Sequence, residues 1–246
     1  MHPLILEAGL VAGLLLGLTS AMSPATAATP AATRSATPAC PPPQAAVAEA
    51  FFSADCADCW GAPAGPAIRA PTTNTWRFDW ISPGGRDAPL AAGALPEAAE
   101  RAQRLGLAPA TSPTPARWQT ASKPLPGLRL RVESGPAWQG YFGVQLSLAV
   151  ASRNSLPTGA TAWLALVERV PAGSDGTPIP RALVRSMAGP LPLDALKPGK
   201  AMTTMTHLRA LRWPASAEPT RLQARAWIEA PDGRLLAVVA DSCPVR

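Results

Sequence analysis

Histidine is almost missing from this chain: apart from His2 there is only His207. Ser–His–Asp or Cys–His catalysis would have one imidazole to draw on, and no nucleophile motif accompanies it. Lysine is scarce too, at Lys123, Lys197 and Lys200, so most of the 22 basic residues are arginines. With abundant Ala and 30 Pro, that bias fits a GC-rich coding sequence better than a surface selected for nucleic acid. No basic run with interleaved aromatics occurs, which speaks against nucleic-acid binding despite a net charge of +6. Charged residues reach only 15% against 47% hydrophobic, so a sizeable core is available and global disorder is excluded by composition. The apolar run at residues 10–18 (LVAGLLLGL) is too short to span a bilayer.

That run has the length of a signal-peptide core, and Ala25-Thr26-Ala27 offers a small-x-small cleavage site. Residues 1–27 are therefore expected to be a signal peptide cut after Ala27, although His2 and Glu7 stand where basic residues are usual. Cys40 is a poor lipid anchor, because it lies far beyond the apolar core and Thr37 occupies the place of the lipobox leucine. A periplasmic or secreted protein without a stable membrane anchor follows. Residues 28–39 (ATPAATRSATPA) read as a disordered Pro/Ala/Thr linker.

The first folded part centres on residues 45–60 (AAVAEAFFSADCADCW). An apolar run leads directly into Cys56-Ala57-Asp58-Cys59, which is how thioredoxin-like domains bring a redox pair to a sheet edge and a helix N-terminus. Gly61, Pro63, Gly65 and Pro66 follow at once, so a long helix after the pair is not expected. Residues 75–81 (TWRFDWI) predict a strand with Trp76, Phe78 and Trp80 on one face. Residues 96–105 (PEAAERAQRL) predict a helix, with Pro first, acids early, arginines late and Gly106 as a stop. A Pro-rich approach, residues 111–120, leads to another short strand.

From Gly127 onward the pattern is of strands: Leu128, Leu130 and Val132, then Val144 to Val150 in alternation, then five further apolar segments. Pro231-Asp232-Gly233 is a hairpin turn between the last two. About seven strands in about 120 residues predict an immunoglobulin-like sandwich. The expected fold is α+β and β-dominated: a degenerate thioredoxin-like α/β domain at residues 40–124, then an immunoglobulin-like antiparallel β-sandwich at residues 125–246.

Several segments resemble a family of secreted bacterial proteins that joins a thioredoxin-like domain to a C-terminal β-sandwich. They are Ala165-Leu166-Val167-Glu168, residues 182–193 (ALVRSMAGPLPL), residues 226–237 (AWIEAPDGRLLA), a Cys near the C-terminus and residues 48–59. In a thioredoxin-like domain Cys56 is the attacking thiolate, Cys59 the resolving thiol, and Pro115 the backbone support for substrate. The chain departs from that family in its broken helix after the cysteines and in a shortened acidic-aromatic segment, Phe78-Asp79-Trp80.

Two functions compete on these residues. One is extracytoplasmic thiol–disulfide exchange, with another extracytoplasmic protein as partner. The other is a non-catalytic binding or assembly module, in which Cys56–Cys59 is a structural or vestigial disulfide. Asp55 and Asp58 flank the sulfurs and disfavour a thiolate, which points to an ordinary thiol and a stable disulfide. Cys40 and Cys243 sit just inside the ends of the folded region and are expected to pair. Zinc would need a second Cys-x-x-Cys or a nearby His, so no metal or cofactor is expected. Met202, Met205 and His207 read as core methionines and a surface histidine rather than a soft-metal site. Trp60, beside the cysteines, is expected either to shield them or to meet a partner.

Overall fold

The computed structural model describes residues 46–62, 75–108, 116–121, 125–151, 156–196 and 202–241. The predicted signal peptide, the linker and the ends of the folded region lie outside them. Residues 37–246 form one compact unit.

Among the described residues, ten strands make two sheets. The first half contributes β1 (Ala46–Ser53), β2 (Thr75–Ser82) and β3 (Ala116–Ala121), with helix α1 (Ala57–Gly61) between β1 and β2 and α2 (Pro96–Arg104) between β2 and β3. The second half contributes β4 (Leu128–Trp138), β5 (Tyr141–Val150), β6 (Thr161–Val170), β7 (Arg181–Pro192), β8 (Thr203–Arg212), β9 (Leu222–Glu229) and β10 (Leu235–Ala240). One sheet runs β10-β9-β6-β7-β2-β1-β3 and the other β4-β5-β8. β1 lies between a parallel β2 and an antiparallel β3. The boundary drawn from sequence at residues 124/125 falls between β3 and β4, yet the long sheet crosses it. β2 pairs parallel to β7, registered at Asp79 and Leu183.

Strand periodicity explains how the long sheet is buried on both faces. On β6, Ala162, Leu164 and Leu166 enter one core with the inward residues of β4, β5 and β8, such as Val132, Leu146 and Leu211. The alternate residues Trp163, Ala165 and Val167 face a second core. That core also holds Val47 and Phe51 of β1, the predicted Trp76–Phe78–Trp80 stripe of β2, and Ala98 and Ala102 of α2. A third cluster, on the other face of β1, packs Ala50 and Phe52 against Cys56, Cys59 and Trp60 together with Val170 and Leu183. β7 continues past Met187, where the apolar pattern ends, through Gly189 and Pro190. Gly189 sits at φ 145°, and a Cβ there would collide with the Trp163 ring.

Helix α2 stops as its sequence requires. Gly106 adopts φ 69°; its N–H donates to Gln103 C=O and that of Leu107 to Ala102 C=O, the two bonds of a Schellman end. Its inward stripe is Ala98, Arg101 and Ala102. Arg101 is the surprise, because it is 1% exposed. Its Nη2 lies 2.5 Å from Glu49 Oε1 on β1 and 2.5 Å from Glu229 Oε1 on β9. Trp80 Nε1–H donates to Glu49 (2.8 Å) and Trp227 Nε1–H to Glu229 (3.0 Å). One guanidinium thus serves two carboxylates, leaving a surplus negative charge in the core.

Both groups are pushed upward, which favours the charge of Arg101 and disfavours that of Glu49. Burial disfavours the charge of Arg101, but Glu49 and Glu229 outweigh it and hold the guanidinium protonated above its ordinary range. Burial pushes Glu49 above its ordinary 4.5 against the pull of Arg101, with Glu229 adding repulsion. A raised native value means that protonation of Glu49 contributes stability fully present below 4.5 and lost as pH rises through that raised value. Chemical denaturation between roughly pH 4 and 8 is expected to show the wild type losing stability relative to Glu49→Gln as pH rises. Parallel profiles would contradict this.

Other buried polar groups pin the same seam. Asp79 on β2 accepts from the Ala182 N–H of β7 (2.7 Å) and pairs with Arg77 (2.8 Å). Arg225 on β9 lies over the Trp76 and Phe78 rings and donates to Arg77 C=O (2.6 Å). Burial pushes Arg225 down to about 9, with repulsion from Arg169 added, so it stays charged at neutral pH.

Candidate functional site

The apolar run of β1 ends at Ser53, and the chain turns through Ala54 and Asp55 into α1. Cys56 is the N-cap of α1, and its Sγ accepts from the Cys59 N–H at 3.2 Å. Cys56 and Cys59 are joined by a disulfide, with Cα atoms 5.3 Å apart. Both are buried, at 4% and 7% exposure, in the third cluster, on the Ala50–Phe52 face of β1. The helix is five residues long and ends at Gly61, where the sequence turns to Gly and Pro. So short a helix adds little field at the sulfur.

The flanking aspartates differ from their expected roles. Asp55 turns away from the sulfurs: its carboxylate accepts from the Gly85 N–H (2.9 Å) and contacts Ser53 Oγ (3.4 Å). A Cβ on Gly84 would collide with that carboxylate, so the glycine admits the aspartate into the turn. Asp58 is exposed in the first turn of α1, next in sequence to Cys59.

Trp60 shields the pair and is not available to a partner, being 3% exposed. Its ring meets Phe52 edge-on, and its Nε1–H donates to Asp175 C=O (2.8 Å) on the loop between β6 and β7. Arg181, at the start of β7, completes this packing. Its guanidinium lies 4.9 Å from the centroids of both Trp60 and Phe52. It donates to Trp60 C=O (2.5 Å) and Ala62 C=O (3.0 Å), satisfying carbonyls at the end of α1. Arg181 therefore positions the cysteine helix from the other half of the chain. Sequence reasoning missed it because a lone Arg opening a strand reads as solvent-exposed.

The remaining predicted site residues are not gathered here. Pro115, Cys40 and Cys243 lie outside the described residues. Met205 packs against the core between the two sheets, while Met202, read from sequence as a core methionine, is 52% exposed. His207 is half-buried on β8, its pKa lowered by burial and by Arg209. Among the described residues no group of three His, Cys, Asp or Glu side chains is placed to hold a metal ion.

No protein-family model matches the chain, and no curated protein matches it. Among solved structures, HBP35 of Porphyromonas gingivalis is similar with 10% sequence identity and a TM-score of 0.46, over 81% of this chain and 75% of that one.

Proposed function

We propose that this chain is an extracytoplasmic thioredoxin-like protein whose Cys56–Cys59 pair exchanges disulfides with another secreted or periplasmic protein, the pair being carried beside an immunoglobulin-like sandwich. The observation that carries the reading is the position of Cys56. It caps a helix directly after β1, receives the Cys59 N–H, and β1 lies between a parallel and an antiparallel neighbour. That order of strand, redox turn, strand, helix and strand supports the thioredoxin-like assignment. The four strands β10-β9-β6-β7 facing β4-β5-β8 support the sandwich.

In the reduced protein the Cys56 thiolate attacks a sulfur of the partner's disulfide, forming a mixed disulfide and releasing the partner's first thiolate. Cys59, deprotonated, then attacks Cys56 Sγ and releases the second. The pair loses two electrons and two protons, the partner gains them, and the reverse sequence oxidises a dithiol partner.

The second reading is a binding module with a fixed disulfide. It is favoured by one observation: both cysteines are more than nine-tenths buried, at the cap and within a helix that Arg181 holds in place. Cys59→Ser separates the two. Exchange predicts mixed disulfides trapped at Cys56 in the cell envelope, and wild-type thiols that open in a glutathione redox titration without denaturant. A wild-type pair that stays closed until the protein unfolds, with no adducts on the variant, would leave the fixed disulfide.

A further inference from the structure

One turn beyond Arg101, Arg104 has the opposite circumstances. Among the described residues its guanidinium makes no hydrogen bond or ion pair, and it lies 4.8 Å over the ring of Trp163. It lines a cavity of about 160 Å³ whose wall also includes Glu97, Glu100, Trp163, Gly189 and Pro190. Two residues of that wall each carry a buried polar atom with no partner among the described residues: Trp163 Nε1 and Glu97 Oε2. Trp163 itself is 1% exposed. A buried donor or acceptor left unpaired costs about 1–3 kcal/mol, so native structures seldom keep one, and here two share a cavity. Arg104 also lines a second cavity of about 330 Å³, with Thr161, Glu229 and Asp232.

The smaller cavity carries charges of both signs from α2: Glu97 and Glu100, with Arg104 and with Arg101, whose guanidinium is already engaged by Glu49 and Glu229. Arg104 and Trp163 Nε1 offer donors only, and a guanidinium placed over an indole ring keeps N–H groups to offer a carboxylate. Glu97 and Glu100 precede Arg104 on α2 and offer acceptors only. Water would satisfy the two orphan atoms one at a time, whereas an anion would also engage the exposed Arg104 guanidinium. A molecule carrying a carboxylate and an adjacent ammonium meets both ends. We propose that this cavity, between α2 and the Gly189–Pro190 segment of β7, binds a small free α-amino acid, with its carboxylate on Arg104 and Trp163 Nε1 and its ammonium on Glu97 and Glu100. The volume and the walls of Gly189 and Pro190 favour the smallest side chains. This site does not depend on the cysteine chemistry.

The test titrates the full oxidised chain with glycine, L-alanine and L-serine by calorimetry, with acetate and ethylamine as half-ligands. In parallel, the indole N–H resonance of Trp163 is followed by NMR. Saturable binding is expected for at least one amino acid, with a shift of that resonance, and at least about tenfold weaker binding of both half-ligands. Arg104→Gln, at a position exposed on its helix, is expected to weaken binding at least about tenfold with an unchanged near-ultraviolet spectrum. Glu97→Gln is expected to narrow the preference for alanine over acetate. No saturable binding of any of the three, acetate binding as tightly as alanine, or a Trp163 resonance that never moves would each overturn the proposal.

Discussion

Residues 40–124 expressed alone are expected to give the circular dichroism of a random coil, while residues 125–246 keep a cooperative thermal transition. The asymmetry follows from who owns each core. Every buried residue of the cluster between the two sheets comes from the second half. The second core is shared. Phe51 and Trp80, both 0% exposed, and Phe78 and Trp76 are covered by α2 and by Trp163, Val167, Val184 and Trp227 from the other half. Each large apolar side chain contributes about 1.5–3 kcal/mol when fully buried, so losing much of that cover removes several kcal/mol. A small first half with a total stability in the usual range of about 5–15 kcal/mol cannot absorb the loss. The second half is expected to melt lower than the whole chain and to bind a hydrophobic dye, because Trp163, Val167 and Trp227 become surface. A cooperative transition from residues 40–124 alone would show that the shared core is dispensable.

Arg101→Ala is expected to destabilise the whole chain by about 3–5 kcal/mol, because it strands Glu49 and Glu229 as buried, uncompensated carboxylates. Equilibrium denaturation measures it. The triple variant Arg101→Met, Glu49→Gln, Glu229→Gln is expected to recover most of the loss. It removes all three charges, fills the arginine's place with an apolar chain, and leaves amide oxygens to accept from the Trp80 and Trp227 indoles. Recovery by the triple variant separates an electrostatic penalty from a simple cavity. If Arg101→Ala cost less than 1 kcal/mol, the carboxylates would be shedding their charge through water or protonation.

Much of the strand inventory was legible because alternation and turns are local. The Trp76–Phe78–Trp80 stripe, the Leu128–Leu130–Val132 stripe, the helix ending at Gly106 and the turn at Pro231-Asp232-Gly233 all occur where the pattern puts them. The truncated cysteine helix was also legible, since Gly61 and its prolines cannot continue it. The junction of the halves was not. Asp79 and Leu183 meet through long-range pairing that leaves no period in either strand. The buried charges were illegible for a related reason. Glu49, Asp79, Arg101, Arg181 and Glu229 look like solvent-facing residues until their partners arrive from distant segments. At the candidate site, sequence located the cysteines but not the Arg181 clamp or the diversion of Asp55 into a turn.

The seam between β2 and β7 also bears on how the chain is made. Asp79 on β2 waits for the Ala182 N–H, which lies 103 residues further along. At synthesis rates of about 5–20 residues per second, β2 stays without its neighbour for on the order of ten seconds. Throughout that interval one edge of β2 and the aromatic stripe beside it are open to other nascent chains. The acidic side chain of Asp79 is then its protection against wrong pairing, and a chaperone that shelters the newly emerged first half would act during this interval.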